Sequence, residues 1–346
     1  MRFGLTVIFL YGILKAQVPP GYYNATHQLY GISLKQALYN LIKNHRVYEY
    51  TSDTTDTWDL LKDLDRDSLN PSNVIEIYTG WSVNAAQEYN NGNGWEREHV
   101  WAKVHGGFDI NPPAGTDVHH LRPIDKTINA ARNSRWFAEC NEPYTVGGLP
   151  SGSYYSTNQW VWKPRDCDKG DVARMLFYMA VRYEGENGEP DLELVDYLPA
   201  INHDPAPIMA KLSDLLQWHA QDPVDSYERK RNDLIYTKYQ HNRNPFIDVP
   251  DFAWAIWDAK TLMQDHSASS ILRLYPNTSS ENWMVYNSLQ NKLQLQVYSS
   301  LGALVYENQT HENATLIDIR TWAKGMYTVV CKSNTTVRCF KAVKIN

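Results

Sequence analysis

The sequence predicts an α+β protein: a mainly helical N-terminal part followed by a small all-β domain. Three observations predict it. Apolar residues recur at helical spacing in several segments before about residue 260. Beyond residue 270 the chain changes to short alternating runs broken by polar turns. Between them, the stretch from Asn93 to Phe137 reads strand, loop, strand, helix and concentrates acid–base and phosphate-capable side chains.

At the start, Arg2 is followed by the apolar run Leu5–Leu14 and by Ala16-Gln17, the pattern of a secretory signal peptide over residues 1–17. That run is too short to span a bilayer, so an exported protein without stable membrane insertion is expected. Leu34, Leu38, Leu41 and Ile42 predict a helix over Ser33–His45, and Thr57–Leu64 a second. Val74–Thr79 reads as a strand. In the central stretch, Glu98 and His99 follow a turn-like run, Asn91–Gly94. Asp117–Leu121 alternates as a second strand, and Lys126–Trp136 reads as a short helix. Ser151–Asp168 is expected to be loop around a strand at Trp160–Trp162. Helices follow at Asp171–Tyr183, Ile208–Trp218 and Val224–Tyr239. Asn242–Pro250 is too rich in Pro and Asn for helix, and Phe252–Trp257 closes this part. The expected domain is residues 18–262, then a polar linker at 263–270 and a β-sandwich at 271–346. Strands there are expected at Trp283–Tyr286, Leu293–Tyr298, Ala303–Tyr306, Ala314–Ile319, Met326–Cys331 and Val337–Val343. Asn277, Asn308, Asn313 and Asn334 lie in glycosylation sequons.

The net charge of −6 argues against a protein that coats nucleic acid, which needs many cations to displace counterions. An enzyme that must release its product needs only a local basic patch. Export permits disulfides. Four cysteines allow three connectivities, and pairing within each part, Cys140 with Cys167 and Cys331 with Cys339, respects the division of the chain. None has the spacing of a zinc site. No HExxH occurs, which disfavours a metalloprotease.

Phosphodiester hydrolysis needs a base for water, positive charge beside the phosphate, and a Lewis acid or proton for the leaving oxygen. His99 suits the first task near neutral pH. A hard cation on oxygen ligands suits the others, and Glu98 and Asn129 offer a carboxylate and an amide oxygen. Arg132 and Arg135 share a helix face and can clamp phosphate. Adjacent strand residues point to opposite faces, so Glu98 and His99 reach one site only at a bulge or a strand end.

The run Trp95-Glu96-Arg97-Glu98-His99-Val100-Trp101, then Asp117-Val118-His119-His120-Leu121-Arg122-Pro123, then Asn129 with Arg132 and Asn133-Ser134 resembles the endonuclease I family of secreted nucleases, built on the ββα-metal motif. Gly170–Arg174 and Asn242–Asp248 extend the likeness, which covers Tyr22 to Leu262. The resemblance implies a one-metal nuclease of low sequence specificity that acts on DNA and often on RNA. His99 matches its general base, and Glu98 with Asn129 match the ligands of one Mg2+ ion, or Ca2+ or Mn2+. One branch of the family places a phosphate-holding Arg between the two strands, but Val104–Thr116 contains none. Arg122, Arg132 and Arg135 are the candidates for that role. Arg97, His119 and His120 are further substrate-binding candidates. The C-terminal part resembles the sorting domains of type IX secretion through Leu274–Asn277, Gly325–Val329 and the terminal Lys341–Asn346 strand. The partners expected are nucleic acid and a secretion machinery, for a monomer. A non-catalytic secreted protein that binds through the C-terminal sandwich is the alternative, and intact Glu98, His99 and Asn129 argue against it.

Overall fold

The computed structural model describes residues 18–202, 204–257, 272–275, 278–287, 292–312, 314–333 and 337–345. The expected signal peptide, the linker and three of the sequon asparagines, Asn277, Asn313 and Asn334, lie outside the described residues. The chain forms two compact units, one ending at Trp257 and one beginning at Asp258.

In the first unit, α1 (Gly31–Ile42) buries Leu34, Leu38 and Ile42. α2 (Thr57–Leu64) begins with a capping box: the Asp56 carboxylate accepts from the N–H groups of Trp58 and Asp59. β1 (Asn73–Ile75) pairs with β2 (Ser82–Asn84). The strand expected over Val74–Thr79 stops at Ile75, because Tyr78 and Gly80, with φ of +70° and +68°, turn the chain. β3 (Glu96–His99) pairs antiparallel with β4 (Leu121–Ile124), Glu96 opposite Ile124 and His99 opposite Leu121. The second strand therefore starts later than the alternation suggests. Asp117–His120 form a turn in which the Asp117 carboxylate accepts from the His119 N–H. α3 (Lys126–Arg132) follows at once, capped by Asp125.

β5 (Trp136–Phe137), β6 (Glu142–Val146), β7 (Leu149–Ser156) and β8 (Val161–Lys163) join β9 (Glu193–Val195) and β10 (Ile208–Lys211) in a six-stranded sheet, ordered β6-β7-β8-β5-β10-β9. Ile208–Lys211 was expected to open a helix and is a strand instead. It pairs in parallel with β5 and β9, and Ile208 packs with Trp136, Ala138 and Val161. α4 (Lys169–Arg182) is buried on all faces, so it runs through the middle of the unit rather than along its side. α5 (Leu212–Gln221) and α6 (Ser226–Leu234) follow, α6 continuing as a wider turn through Tyr239. The Pro-rich segment holds one helical turn, α7 (Pro245–Asp248). Pro245 sits where no N–H is needed and Asn244 caps it. α8 (Phe252–Trp257) ends the unit.

The described residues of the second unit form strands joined by turns: β11 (Leu272–Tyr275), β12 (Thr278–Ser279), β13 (Asn282–Asn287), β14 (Leu293–Ser299), β15 (Leu304–Thr310), β16 (Ala314–Asp318), β17 (Gly325–Lys332) and β18 (Val337–Lys344). They make a three-stranded sheet, β11-β13-β16, and a five-stranded sheet, β12-β18-β17-β14-β15. Trp283, Val285 and Ile317 of the first share one core with Leu295, Val297 and Val329 of the second.

The expected disulfides are not formed. All four cysteines are free thiols. The register explains the C-terminal pair: Cys331 lies opposite Arg338 and Cys339 opposite Val330. Cross-strand partners share a face and neighbours alternate, so the two thiols point to opposite sides of the sheet. Cys140 is buried against Trp136 and Ile208, whereas Cys167 is exposed in the turn before α4. Burial pushes the Cys140 thiol up to about 11.

The first unit is tied together by buried charge. The carboxylate of Asp65, at the end of α2, receives Arg122 of β4 (2.7 Å), Arg231 of α6 (3.0 Å) and the Tyr227 hydroxyl (2.7 Å). Removing one partner of such a set strands the others. Asp65→Ala is therefore expected to cost about 3–5 kcal/mol of stability, read from urea unfolding; a loss below about 1 kcal/mol would show that the set contributes little. Burial also lowers the pKa of His119 to about 3 and of His120 and His219 to about 4. The unfolded chain, with histidine near 6.5, takes up protons that the folded chain refuses. Stability is thus full above pH 6.5 and falls as the pH drops toward 4. The thermal midpoint should fall over that window, and a flat profile would contradict these burials.

Candidate active site

The β3–β4 hairpin and α3 border a cavity of about 460 Å³. Glu98, His99, Asn129 and Arg132 line it, with Arg97 and Lys103. His99 is the last residue of β3, and this strand end lets neighbouring Glu98 and His99 reach the same cavity.

Each of three side chains is fixed through one atom and left open at another. The Nε2 of His99 lies 2.9 Å from the carbonyl of Gly115. A carbonyl only accepts, so Nε2 carries the proton and Nδ1 keeps its lone pair, with no protein partner among the described residues. Gly115 is required there: a Cβ would lie 2.5 Å from the Asp109 carbonyl oxygen. The ring stacks on Tyr50, with centroids 5.6 Å apart, and touches His120 at 5.5 Å. Burial, and then the His120 ring, push the pKa of His99 well below the usual 6.5.

The Oε1 of Glu98 accepts from the Tyr78 hydroxyl at 2.9 Å and lies 3.1 Å from Nε of Arg132, an ion pair. Its Oε2 has no protein partner among the described residues. Burial raises the Glu98 pKa; Arg132 and Tyr78 oppose this. The Nδ2 of Asn129 donates to Glu96 at 2.7 Å. A carboxylate oxygen only accepts, which sets the amide orientation and leaves Oδ1 open. Two oxygens without soft neighbours fit a hard cation that keeps some of its waters. Among the described residues no three His, Cys, Asp or Glu side chains converge on one point, so the donors describe an open site rather than a closed cage.

The other expected residues fall elsewhere. Arg122 does not line this cavity and is committed to Asp65, with Asp171 at 3.7 Å. Arg135 stacks on Trp160 at 3.9 Å and donates to the Ala131 and Ser156 carbonyls. His119 and His120 are core residues: the Nε2 of His119 contacts Asn242, and that of His120 donates to the Ala114 carbonyl. Arg97 borders the cavity, but its guanidinium lies between the Tyr50 and Trp58 rings and bonds Thr51 and Thr57. Sequence reasoning missed Tyr78 and Glu96, the groups that hold Glu98 and Asn129. Glu96 was legible only as a solvated neighbour of Glu98. Tyr78 lies twenty residues upstream in a turn, with no local signal.

An imidazole with an open nitrogen, beside a carboxylate and an amide with open oxygens, is the equipment of a hydrolase that activates water. Comparison with known proteins gives the family. The endonuclease I family model matches residues 30–251, and that of the secretion system C-terminal sorting domain matches residues 273–345. The extracellular ribonuclease of Bacillus subtilis (strain 168) is 48% identical over 236 residues, 68% of this chain and 78% of its own. The extracellular ribonuclease of Bacillus amyloliquefaciens matches over the same shares, also at 48% identity. Endonuclease-1 of Buchnera aphidicola subsp. Baizongia pistaciae is 26% identical over 134 residues, 38% of this chain and 46% of its own. The chain belongs to the endonuclease I family and is a secreted nuclease with a C-terminal sorting domain. Among the described residues, no helix is long and apolar enough to cross a membrane.

Tyr78→Phe keeps the ring in the core and deletes one hydrogen bond to Glu98. It is expected to cost about 1–3 kcal/mol of stability and to lower the nuclease rate. A lowered melting point with an unchanged rate would show that the setting of Glu98 does not matter to catalysis.

Proposed function

We propose that the cavity between the hairpin and α3 hydrolyses phosphodiester bonds of DNA and RNA with little sequence preference, as a ββα-metal nuclease acting as a monomer. The observation that carries this reading is the open Nδ1 of His99 in one cavity with the open oxygens of Glu98 and Asn129. RNA is included because the two Bacillus relatives are named as ribonucleases.

His99 is the general base. The Gly115 carbonyl holds the tautomer that presents a lone pair, and burial keeps the ring neutral. It takes the proton of the attacking water at Nδ1. Glu98 and Asn129 would hold one Mg2+ or a similar ion, which supplies positive charge at the phosphate and at the leaving oxygen. Arg132 positions Glu98 rather than the substrate, since its guanidinium is spent on Glu98 and on the carbonyls of Val100 and Asn133. Lys103 is the cavity cation available to a phosphate: its side chain is 40% exposed, and among the described residues its only ion pair is with exposed Asp109. Such a surface pair is worth at most about 1 kcal/mol, so a phosphate can replace it. The catalytic domain is residues 18–262, and residues 271–346 serve export after a linker at 263–270.

The roles separate in a titration of cleavage rate with Mg2+. His99→Ala removes the proton acceptor and should cost about 10²–10⁴-fold in rate, without recovery at high Mg2+. Asn129→Ala removes one neutral ligand and should recover part of its activity as Mg2+ is raised. Rescue of the His99 variant but not of the Asn129 variant would reverse the two assignments.

A further inference from the structure

The cavity has an aromatic wall that the hydrolytic chemistry does not use. Tyr50, Trp58 and Tyr89 line it. Two of these rings are already committed. The Arg97 guanidinium lies 3.3 Å from the centroid of Tyr50 and 3.9 Å from that of Trp58. Tyr50 also stacks on His99, and Trp58 meets the Trp95 ring at 4.9 Å.

Tyr89 is different. It is 57% exposed, and neither its ring nor its hydroxyl has a partner among the described residues. Its backbone sits at φ 52°, ψ −50°, a region that a bulky L-residue rarely enters. The conformation is imposed from outside. The Tyr89 N–H donates to the Trp95 carbonyl at 2.9 Å, and its own carbonyl accepts from Gly92 at 2.7 Å and Gly94 at 3.1 Å. Only glycine fits at position 94, because a Cβ there would lie 1.5 Å from the Gln87 carbonyl oxygen. The turn thus holds a large, unpartnered ring on the rim of the cavity that contains His99. Strain of this kind persists where the surrounding structure imposes it, and it gathers at sites of function.

A polynucleotide offers the missing partner. Every phosphodiester is flanked by a base with a flat π-face, and stacking on an exposed aromatic ring tolerates any sequence. In a duplex both faces of a base are covered by its neighbours, so only an unpaired base can use such a ring. We propose that Tyr89 is a stacking platform for an unpaired nucleobase beside the phosphate that is cut, and that it biases the enzyme toward single-stranded nucleic acid. The proposal rests on the reading of this cavity as the phosphodiester site.

The test uses the full chain and short single strands of DNA and of RNA, each carrying one abasic residue placed in turn at successive positions around the cut. Wild type is compared with Tyr89→Ala, Tyr89→Phe and Tyr89→Trp. On intact strands Tyr89→Ala should raise KM by about 5- to 100-fold, the range of one base–aromatic stack, while Phe and Trp preserve it. At one abasic position wild type and Tyr89→Ala should become equal. The preference for single strand over duplex should fall with the same substitution. Equal losses by Tyr89→Ala on abasic and intact strands, or a Phe variant as impaired as the Ala variant, would overturn the proposal. His99→Ala measured alongside keeps the two claims apart: full cleavage by that variant would remove the site assignment itself, whereas the Tyr89 outcomes judge only the platform.

Discussion

The site depends on a carboxylate that has been taken out of water. Glu98 is 2% exposed, and a buried charge is tolerated only when it is paired and hydrogen-bonded. Arg132 supplies the pairing and Tyr78 the hydrogen bond. Each partner brings a part of the fold with it. Arg132 closes α3 against β3, its guanidinium also reaching the Val100 and Asn133 carbonyls. Tyr78 holds a left-handed backbone because its N–H is taken by Asp168 and its carbonyl by Ser153. Asp168 in turn accepts from Nε and Nη2 along one edge of the Arg165 guanidinium. One carboxylate thereby couples the hairpin, the β7 strand and the start of α4.

The same economy governs the imidazole. His99 and His120 are both aimed by consecutive carbonyls, those of Gly115 and Ala114. The loop between β3 and β4 therefore aims the hairpin's histidines as well as joining its strands. Its turn at Gly115 leaves no room for a side chain. The His119–His120 pair, conspicuous in the sequence, serves as backing: His120 packs behind His99, and the tilted ring of His119 meets Tyr178 of α4.

What was legible in the sequence follows from range. Helices with apolar residues at helical spacing, α1, α2 and α4, were found within a few residues, and so were the alternating strands of the second unit. The hairpin was legible because Glu98-His99, Asn129 and Arg132 are close in the chain. Strands of two or three residues, such as β5 and β9, carry too little pattern to read. Ile208–Lys211 is equally apolar as helix or strand, and only its pairing with β5 and β9 decides the matter. The arginines show the same limit. Arg122 and Arg135 looked like phosphate clamps locally, but Asp65 and Trp160, distant in sequence, claim them. The cysteines failed for a related reason, since their facing depends on a register that composition does not encode.

The central claim is that Glu98 and Asn129 hold the ion while His99 stays free of it. Electron paramagnetic resonance of Mn2+ titrated into the protein tests this without any cleavage. The account predicts one bound Mn2+ per chain in wild type, retained with similar affinity in His99→Ala and weakened in both Glu98→Gln and Asn129→Ala. Loss of Mn2+ from the His99 variant, with binding intact in the other two, would contradict it.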